Sequence, residues 1–146
     1  VTNNSRYIDA PLNKITIVTT DSMFSRHQIW EQFKKQDQCK YYIEARMGAE
    51  EGQIYTIRKI PSLAHLGSNQ LHIIYEEDEK FYQERLYTDA EAKPAPCTAK
   101  AIIYNVFMIA SLVCRAFKAV IEESAFPREV IFGMAQIGKY SFMVRE

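Results

Sequence analysis

The stretch Lys14-Ile-Thr-Ile-Val-Thr-Thr-Asp-Ser-Met-Phe24 decides the fold class. Its β-branched residues predict a strand over 14–20, and the pair Asp21-Ser22 supplies polar side chains of the kind that begin a helix. The helix is predicted to start near Ser22, because apolar residues recur behind it at helical spacing. A further aromatic and β-branched run at 40–47 follows this helix. The order strand, helix, strand indicates a βαβ unit with parallel strands, and therefore an α/β fold.

The segments beyond this unit extend the predicted sheet. Residues 40–47 and 53–58 are expected to be two strands joined at 48–52, and residues 129–134 and 139–144 a second hairpin. The weakly patterned region 61–96 is interpreted as a long crossover with a short strand at 71–75 and a solvated acidic loop at 76–79. A helix over 101–122 is apolar on nearly every face in its first half. We expect it to be buried, with Cys114 in the core and Cys39 at the surface.

The composition is that of one ordinary globular domain. The 146 residues include 18 basic and 18 acidic side chains, so net charge gives no reason to expect nucleic acid or an anionic membrane as partner. The longest apolar run, over 101–114, is shorter than the roughly 20 residues that cross a bilayer. Three scattered cysteines without a C-x-x-C, and no signal-like start, favour a reducing cytoplasm and no zinc site.

Two positions could carry chemistry. Asp21 follows a strand at the carboxyl edge of the predicted sheet, where α/β folds bind ligands and where a carboxylate can hold Mg. The alternative is that Asp21 only caps the helix, and Arg26 faces either the same cleft or water. Cys97 precedes a predicted helix N-terminus and lies near Lys100, a setting that lowers a thiol pKa. It is therefore the best nucleophile candidate, with a buried inert thiol as the alternative.

Several stretches together resemble one enzyme family. They are Thr20-Asp-Ser-Met-Phe-Ser-Arg-His-Gln-Ile-Trp30, Ala45-Arg-Met-Gly-Ala-Glu-Glu-Gly-Gln-Ile-Tyr55, and Pro94-Ala-Pro-Cys-Thr98 before a long apolar helix. In order and spacing they resemble the second half of the ThiF/MoeB-type adenylyltransferases, which are relatives of the ubiquitin-activating enzymes. The resemblance covers about residues 10–125.

The resemblance implies a Rossmann-like α/β domain that binds ATP and Mg. Such a domain adenylates the C-terminal glycine carboxylate of a ubiquitin-like or sulfur-carrier protein, and its members commonly form homodimers. Asp21 matches the metal and nucleotide aspartate of the family, and Arg26 matches the arginine in the helix behind it. Cys97 matches the cysteine that attacks the acyl adenylate in many members.

Departures from the family pattern limit this expectation. The glycine-rich phosphate loop of the family has no counterpart in the chain, so residues 1–146 are expected to be the C-terminal part of such a domain and inactive alone. Phe81-Tyr-Gln-Glu-Arg85 stands where zinc-bearing members have a C-x-x-C, so no structural zinc is expected. The alternative is a non-catalytic binding or dimerisation module of the same fold.

Overall fold

The protein has an α/β fold built on an open sheet. The computed structural model describes residues 11–48, 51–59, 78–91, 103–136 and 139–145. These residues form β1 (Ile15–Val18), α1 (Met23–Lys35), β2 (Tyr41–Met47), β3 (Glu51–Arg58), α2 (residues 78–83), α3 (Ile103–Ile121), β4 (Glu129–Gln136) and β5 (Lys139–Arg145). The five strands lie in the order β1-β2-β3-β4-β5. The predicted fold class is confirmed.

The predicted βαβ unit is present at the β1 side of the sheet. The carbonyl of Lys14 accepts hydrogen bonds from the backbone N–H groups of Lys40 and Tyr41, at 2.8 and 3.0 Å. The two strands therefore begin side by side, and α1 connects the end of the first to the start of the second. This is the geometry of a parallel pair joined by a helical crossover.

The other pairs in the sheet are antiparallel. The N–H of Gly48 donates to the carbonyl of Glu51 at 2.9 Å, which closes the hairpin between β2 and β3. β4 pairs antiparallel with β3 and with β5, so that Tyr55, Glu129 and Arg145 lie directly opposite one another on three strands. Both predicted hairpins are thus in the sheet, which is mixed because the first pair is parallel.

The chain divides into two compact units. One comprises Val1–Tyr42 and Ile57–Ala92, and the other Ile43–Thr56 and Lys93–Glu146. The first unit contains β1, α1 and α2, and the second contains α3, β4 and β5. β2 and β3 contribute residues to both.

The core of the first unit is a cluster of aromatic rings. Trp30 and Phe33 of α1 stack at 5.4 Å between ring centroids, and Tyr42 and Tyr82 meet the indole at 5.1 and 4.4 Å. All four side chains are fully buried, and the two tyrosine hydroxyls are hydrogen-bonded at 3.1 Å.

Two predictions in the first unit are wrong. Residues 78 and 79 do not lie in a solvated loop, because they belong to α2, the helix that brings Tyr82 into the aromatic cluster, and Asp78 is buried there. Cys39 is also fully buried rather than at the surface, and burial raises the pKa of its thiol although the nearby Lys59 lowers it. The rest of the predicted loop and the strand at 71–75 fall outside the described residues.

In the second unit α3 is anchored to the β2–β3 hairpin. The side-chain amide of Asn105, itself fully buried, donates to the carbonyls of Gly48 and Glu51 at 2.9 and 3.1 Å. At Gly52 a Cβ would lie only 2.4 Å from the ring of Phe132 and 2.9 Å from the Ile109 side chain. A glycine is therefore required at position 52, where a β-strand, a ring of β4 and α3 meet.

A long helix is present where it was predicted, but the prediction that it is buried is wrong. α3 lies where the apolar run predicted a helix, yet its buried residues are only Asn105, Ala116, Ala119 and Val120. Cys114 is exposed, not in the core. Within the described ranges α3 is the one helix that is long and apolar enough to cross a membrane, and most of it is not buried.

Candidate functional site

The candidate site lies where β1 ends and α1 begins. Ser22 is the N-cap of α1, and its hydroxyl accepts from the N–H of Ser25 at 3.1 Å. Asp21 is therefore not the cap, and the alternative interpretation of this residue is wrong. Its side chain is exposed, and no hydrogen bond or ion pair involves it in the part of the chain that the structure describes. A carboxylate at this edge is thus left available to a cation.

Arg26 supports the backbone next to Asp21. It is buried in α1, and its guanidinium donates to the carbonyl of Thr20, the residue between β1 and Asp21. The side chain therefore faces neither water nor an open cleft. It ties the second turn of α1 to the end of β1, so that the direction in which the chain leaves the strand is fixed. The structure brings the two predicted residues, Asp21 and Arg26, to the same corner.

A carboxylate that sequence reasoning missed completes this corner. Asp89 accepts hydrogen bonds from the backbone N–H groups of Met23 at 2.6 Å and Phe24 at 3.3 Å. These are two of the amides that a helix leaves unpaired at its N-terminus, where the helix dipole also favours a negative charge. Nearby, the imidazole Nε2 of His27 lies 3.2 Å from the carbonyl of Tyr87. Residues 87–89 thus hold the first turn of α1.

No local signal could have identified Asp89. The partners are 65 and 66 residues apart in the chain, whereas capping patterns that can be found in a sequence involve residues within one turn. The neighbouring Glu91 does make such a local bond, since it accepts from the N–H and hydroxyl of Thr88 at 2.7 and 2.8 Å. These hydrogen bonds lower the pKa of the Glu91 carboxyl.

The donors at this corner suit one kind of metal. Among the described ranges no group of three or more metal-ligating side chains occurs, so a closed zinc-type site is not formed there. Mg²⁺ is commonly held by one or two carboxylates, with phosphate oxygens and water completing its shell. The single available carboxylate of Asp21 fits that requirement, because Asp89 is already engaged by the helix amides.

Cys97, the predicted nucleophile, lies outside the described residues. Its activation at a helix N-terminus stays a prediction, as does its proximity to Asp21. Of the two other cysteines, Cys39 is enclosed in the first unit and Cys114 is on the exposed side of α3. Neither has the setting that was predicted to activate a thiol.

The second unit contains a buried row of charged side chains that sequence reasoning also missed. Glu44 is fully buried and hydrogen-bonded to Arg46, whose guanidinium lies 4.6 Å from the centre of the Tyr55 ring. Glu129, also buried, lies 3.4 Å from Arg145. Desolvation raises the pKa of Tyr55 well above its usual value although Arg46 lowers it, and the neighbouring carboxylates add to the rise.

This row is a structural element of the sheet. The opposite charges compensate one another inside the unit, and a buried charge that lost its partner would be costly. The sequence signal was the alternation of Glu44 and Arg46 on one strand.

Comparison with known proteins gives little further guidance. One solved structure, described as "Crystal Structure of SeMet PaaA", matches with 14% identity and a TM-score of 0.49. The match covers 99% of this chain and 46% of that chain, so the chain spans a little under half the length of PaaA. No family model matches, and no curated protein matches. The likeness assigns neither a family nor an activity.

Proposed function

We propose that the chain is the C-terminal half of an ATP-dependent activating domain of the ThiF/MoeB type. Such a domain adenylates the terminal carboxylate of a ubiquitin-like or sulfur-carrier protein. The observation that carries the proposal is Asp21, an exposed carboxylate at the carboxyl end of β1 that makes no hydrogen bond or ion pair with the described residues. Its place in the chain is the one that the family resemblance gives to the metal and nucleotide aspartate.

In this proposal Asp21 holds Mg²⁺ together with the phosphates of ATP. The ion would supply positive charge to the phosphate oxygens during adenylation. Arg26 is a positioning residue, because its guanidinium is engaged by the Thr20 carbonyl and fixes the backbone from which Asp21 projects. Asp89 serves the same end by holding the first turn of α1. Cys97 is the proposed nucleophile towards the acyl adenylate.

The remaining phosphate contacts must come from outside these residues. The sequence has no glycine-rich phosphate loop, and adenylation depends on positively charged or amide donors around the transferred phosphates. We therefore propose that the 146 residues are inactive alone and act within a longer cytoplasmic enzyme that needs ATP and Mg but no zinc.

Carrier-dependent exchange of pyrophosphate into ATP tests this function in the full-length protein. Asp21→Asn keeps the size of the side chain and removes its charge, and it should reduce exchange by about a hundredfold or more. Asp37→Asn is the matched control, because Asp37 is also an exposed aspartate and lies just beyond the other end of α1. Equal exchange in the two variants would refute the role of Asp21.

The role of Cys97 has its own test. An activated thiol should react with iodoacetamide at neutral pH faster than the exposed Cys114, which serves as the internal reference. If Cys97 reacts more slowly than Cys114 in the folded protein, then it is an inert thiol.

A second candidate function is a non-catalytic dimerisation module, and the exposed apolar side of α3 favours it. The two candidates make different predictions for Asp21. In a dimerisation module, Asp21→Asn would leave partner binding unchanged and there would be no exchange activity to lose.

A further inference from the structure

Met143 is an exposed methionine whose sulfur contacts a cation. Its exposed fraction is 48%, and the guanidinium of Arg145, further along β5, donates from Nη2 to the sulfur at 3.4 Å. Met47 of β2 is similarly exposed, at 43%, but its sulfur has no hydrogen bond among the described residues. Oxidants reach both sulfurs, because the oxidation of methionine follows its exposure. Of the two, only Met143 has a hydrogen-bond donor next to the atom that an oxidant modifies.

The same guanidinium also serves a buried carboxylate. Its Nε lies 3.4 Å from Oε2 of Glu129, which stands directly opposite Arg145 on β4 and is only 2% exposed. Short charge-assisted hydrogen bonds measure about 2.7–2.9 Å, so this contact is a loose one. Arg145 is therefore shared between an exposed sulfur and a buried anion, and it is held firmly by neither.

β5 is the strand that this contact holds in place. It is last in the strand order and pairs with β4 alone among the described strands. A strand that is hydrogen-bonded on one side only opens more readily than a central strand. The contact between Arg145 and Glu129 joins the two strands where β4 begins and β5 ends. A firmer hold on Arg145 would make this end of β5 open less often.

We propose that Met143 is a site of reversible oxidation, and that its sulfoxide fixes Arg145 and so holds β5 more firmly on β4. Hydrogen peroxide is the oxidant. Its O–O bond breaks, one oxygen bonds to the sulfur, and the other leaves as water. The sulfur loses the two electrons that the peroxide gains. Methionine sulfoxide reductases reverse the change with electrons from thiols.

The chemistry of the product sets the direction of the effect. A thioether sulfur is a weak acceptor, whereas the oxygen of a sulfoxide is polar and accepts a charge-assisted hydrogen bond from the guanidinium. Glu129 keeps its contact, because Nε faces the carboxylate while Nη2 faces Met143. The flexible methionine side chain can place the new oxygen beside Nη2. Oxidation, which disrupts apolar packing when it occurs in a core, here adds a hydrogen bond.

Hydrogen exchange of the 146-residue chain tests the proposal. After treatment with dilute hydrogen peroxide, peptide mass mapping should find sulfoxide at both Met47 and Met143. Deuterium uptake by the peptides of β4 and β5 should then slow about threefold, which is the effect of one partly exposed charged hydrogen bond. Met47→Leu should show the same slowing, and Met143→Leu should show none. The proposal is overturned by no slowing in the native chain, by equal slowing in Met143→Leu, or by an unmodified Met143 beside an oxidised Met47.

The role of Arg145 has a separate test. In Arg145→Gln the oxidation of Met143 should leave deuterium uptake unchanged because the donor is gone, and slowing that persists there would refute the role of the guanidinium. Met143→Gln needs no oxidant and keeps Arg145, and its amide oxygen should slow uptake relative to Met143→Leu. Equal uptake in these two variants would also refute that role. The measurements need neither ATP nor a carrier protein, so this site can fail while the proposed function stands, and the reverse.

Discussion

Replacement of Asp89 by alanine should loosen the corner that presents Asp21. The Ser22 hydroxyl serves the N–H of Ser25, so the N–H groups of Met23 and Phe24 depend on Asp89. Loss of a helix cap costs about 1 kcal/mol, and loss of a negative charge at a helix N-terminus adds roughly 0.3–1 kcal/mol. We therefore expect Asp89→Ala to lower the free energy of unfolding by about 1.3–2 kcal/mol, and Asp89→Asn by about half as much because an amide oxygen remains.

Urea unfolding followed by the fluorescence of Trp30 measures this effect. Trp30 is the single tryptophan of the sequence and lies buried in α1, so its signal reports on the helix that Asp89 caps. Glu91→Gln is the control, because Glu91 is a nearby acidic residue that is hydrogen-bonded to Thr88 and not to the amides of α1. If Asp89→Ala changes the free energy of unfolding by no more than Glu91→Gln does, the capping argument is refuted.

Three further predictions concern the buried interior. Burial raises the pKa of Tyr55, so the unfolded chain loses the phenol proton at a lower pH than the folded chain does. The free energy of unfolding should therefore fall as pH rises above about 10. Urea unfolding at several pH values should show a smaller fall in Tyr55→Phe. Gly52→Ala should lower the free energy of unfolding by about 1–3 kcal/mol, because the new Cβ would meet the ring of Phe132 in β4. Gly48→Ala should lower it less, because no neighbouring atom lies closer than 3.8 Å to that Cβ position. An equal decrease in both variants would contradict this. In the native protein a maleimide should modify the exposed Cys114 before it modifies the buried Cys39. If peptide mass mapping finds Cys39 labelled as early as Cys114, its burial is contradicted.

Local patterns in the sequence predict most of the elements. The β-branched run at 14–20, the polar pair Asp21-Ser22 and the alternating strands gave β1, the start of α1 and both hairpins close to their observed bounds. These elements follow from rules that act over a few residues, such as strand alternation and helix capping. The position of Asp21 at the corner of β1 and α1 follows from the same rules, whereas the burial of Arg26 against the Thr20 carbonyl was not predicted.

Long-range contacts account for what the sequence did not predict. Asp89 caps α1 from 66 residues away, and at the other end of the helix the Lys59 ammonium donates to the carbonyls of Lys34 and Gln36 at 2.7 and 3.2 Å. Both contacts depend on the path of the chain through the fold, which local patterns do not specify.

Burial was the other quantity that composition predicted badly. An apolar run such as 101–114 favours a core position, but whether a neighbour covers each side of the helix is decided by tertiary structure. Cys39 and Cys114 illustrate the two directions of error, since the first is buried and the second exposed.

The most direct test of the central claim is metal binding at Asp21. Manganese can replace magnesium at oxygen ligands, and its paramagnetism broadens the NMR signals of nuclei close to it. In a titration of the chain with Mn²⁺, backbone signals of residues 20–24 should broaden before those around Asp37, and Asp21→Asn should remove the difference. Preferential broadening that persists in Asp21→Asn, or broadening that begins elsewhere, would contradict a metal site at the end of β1.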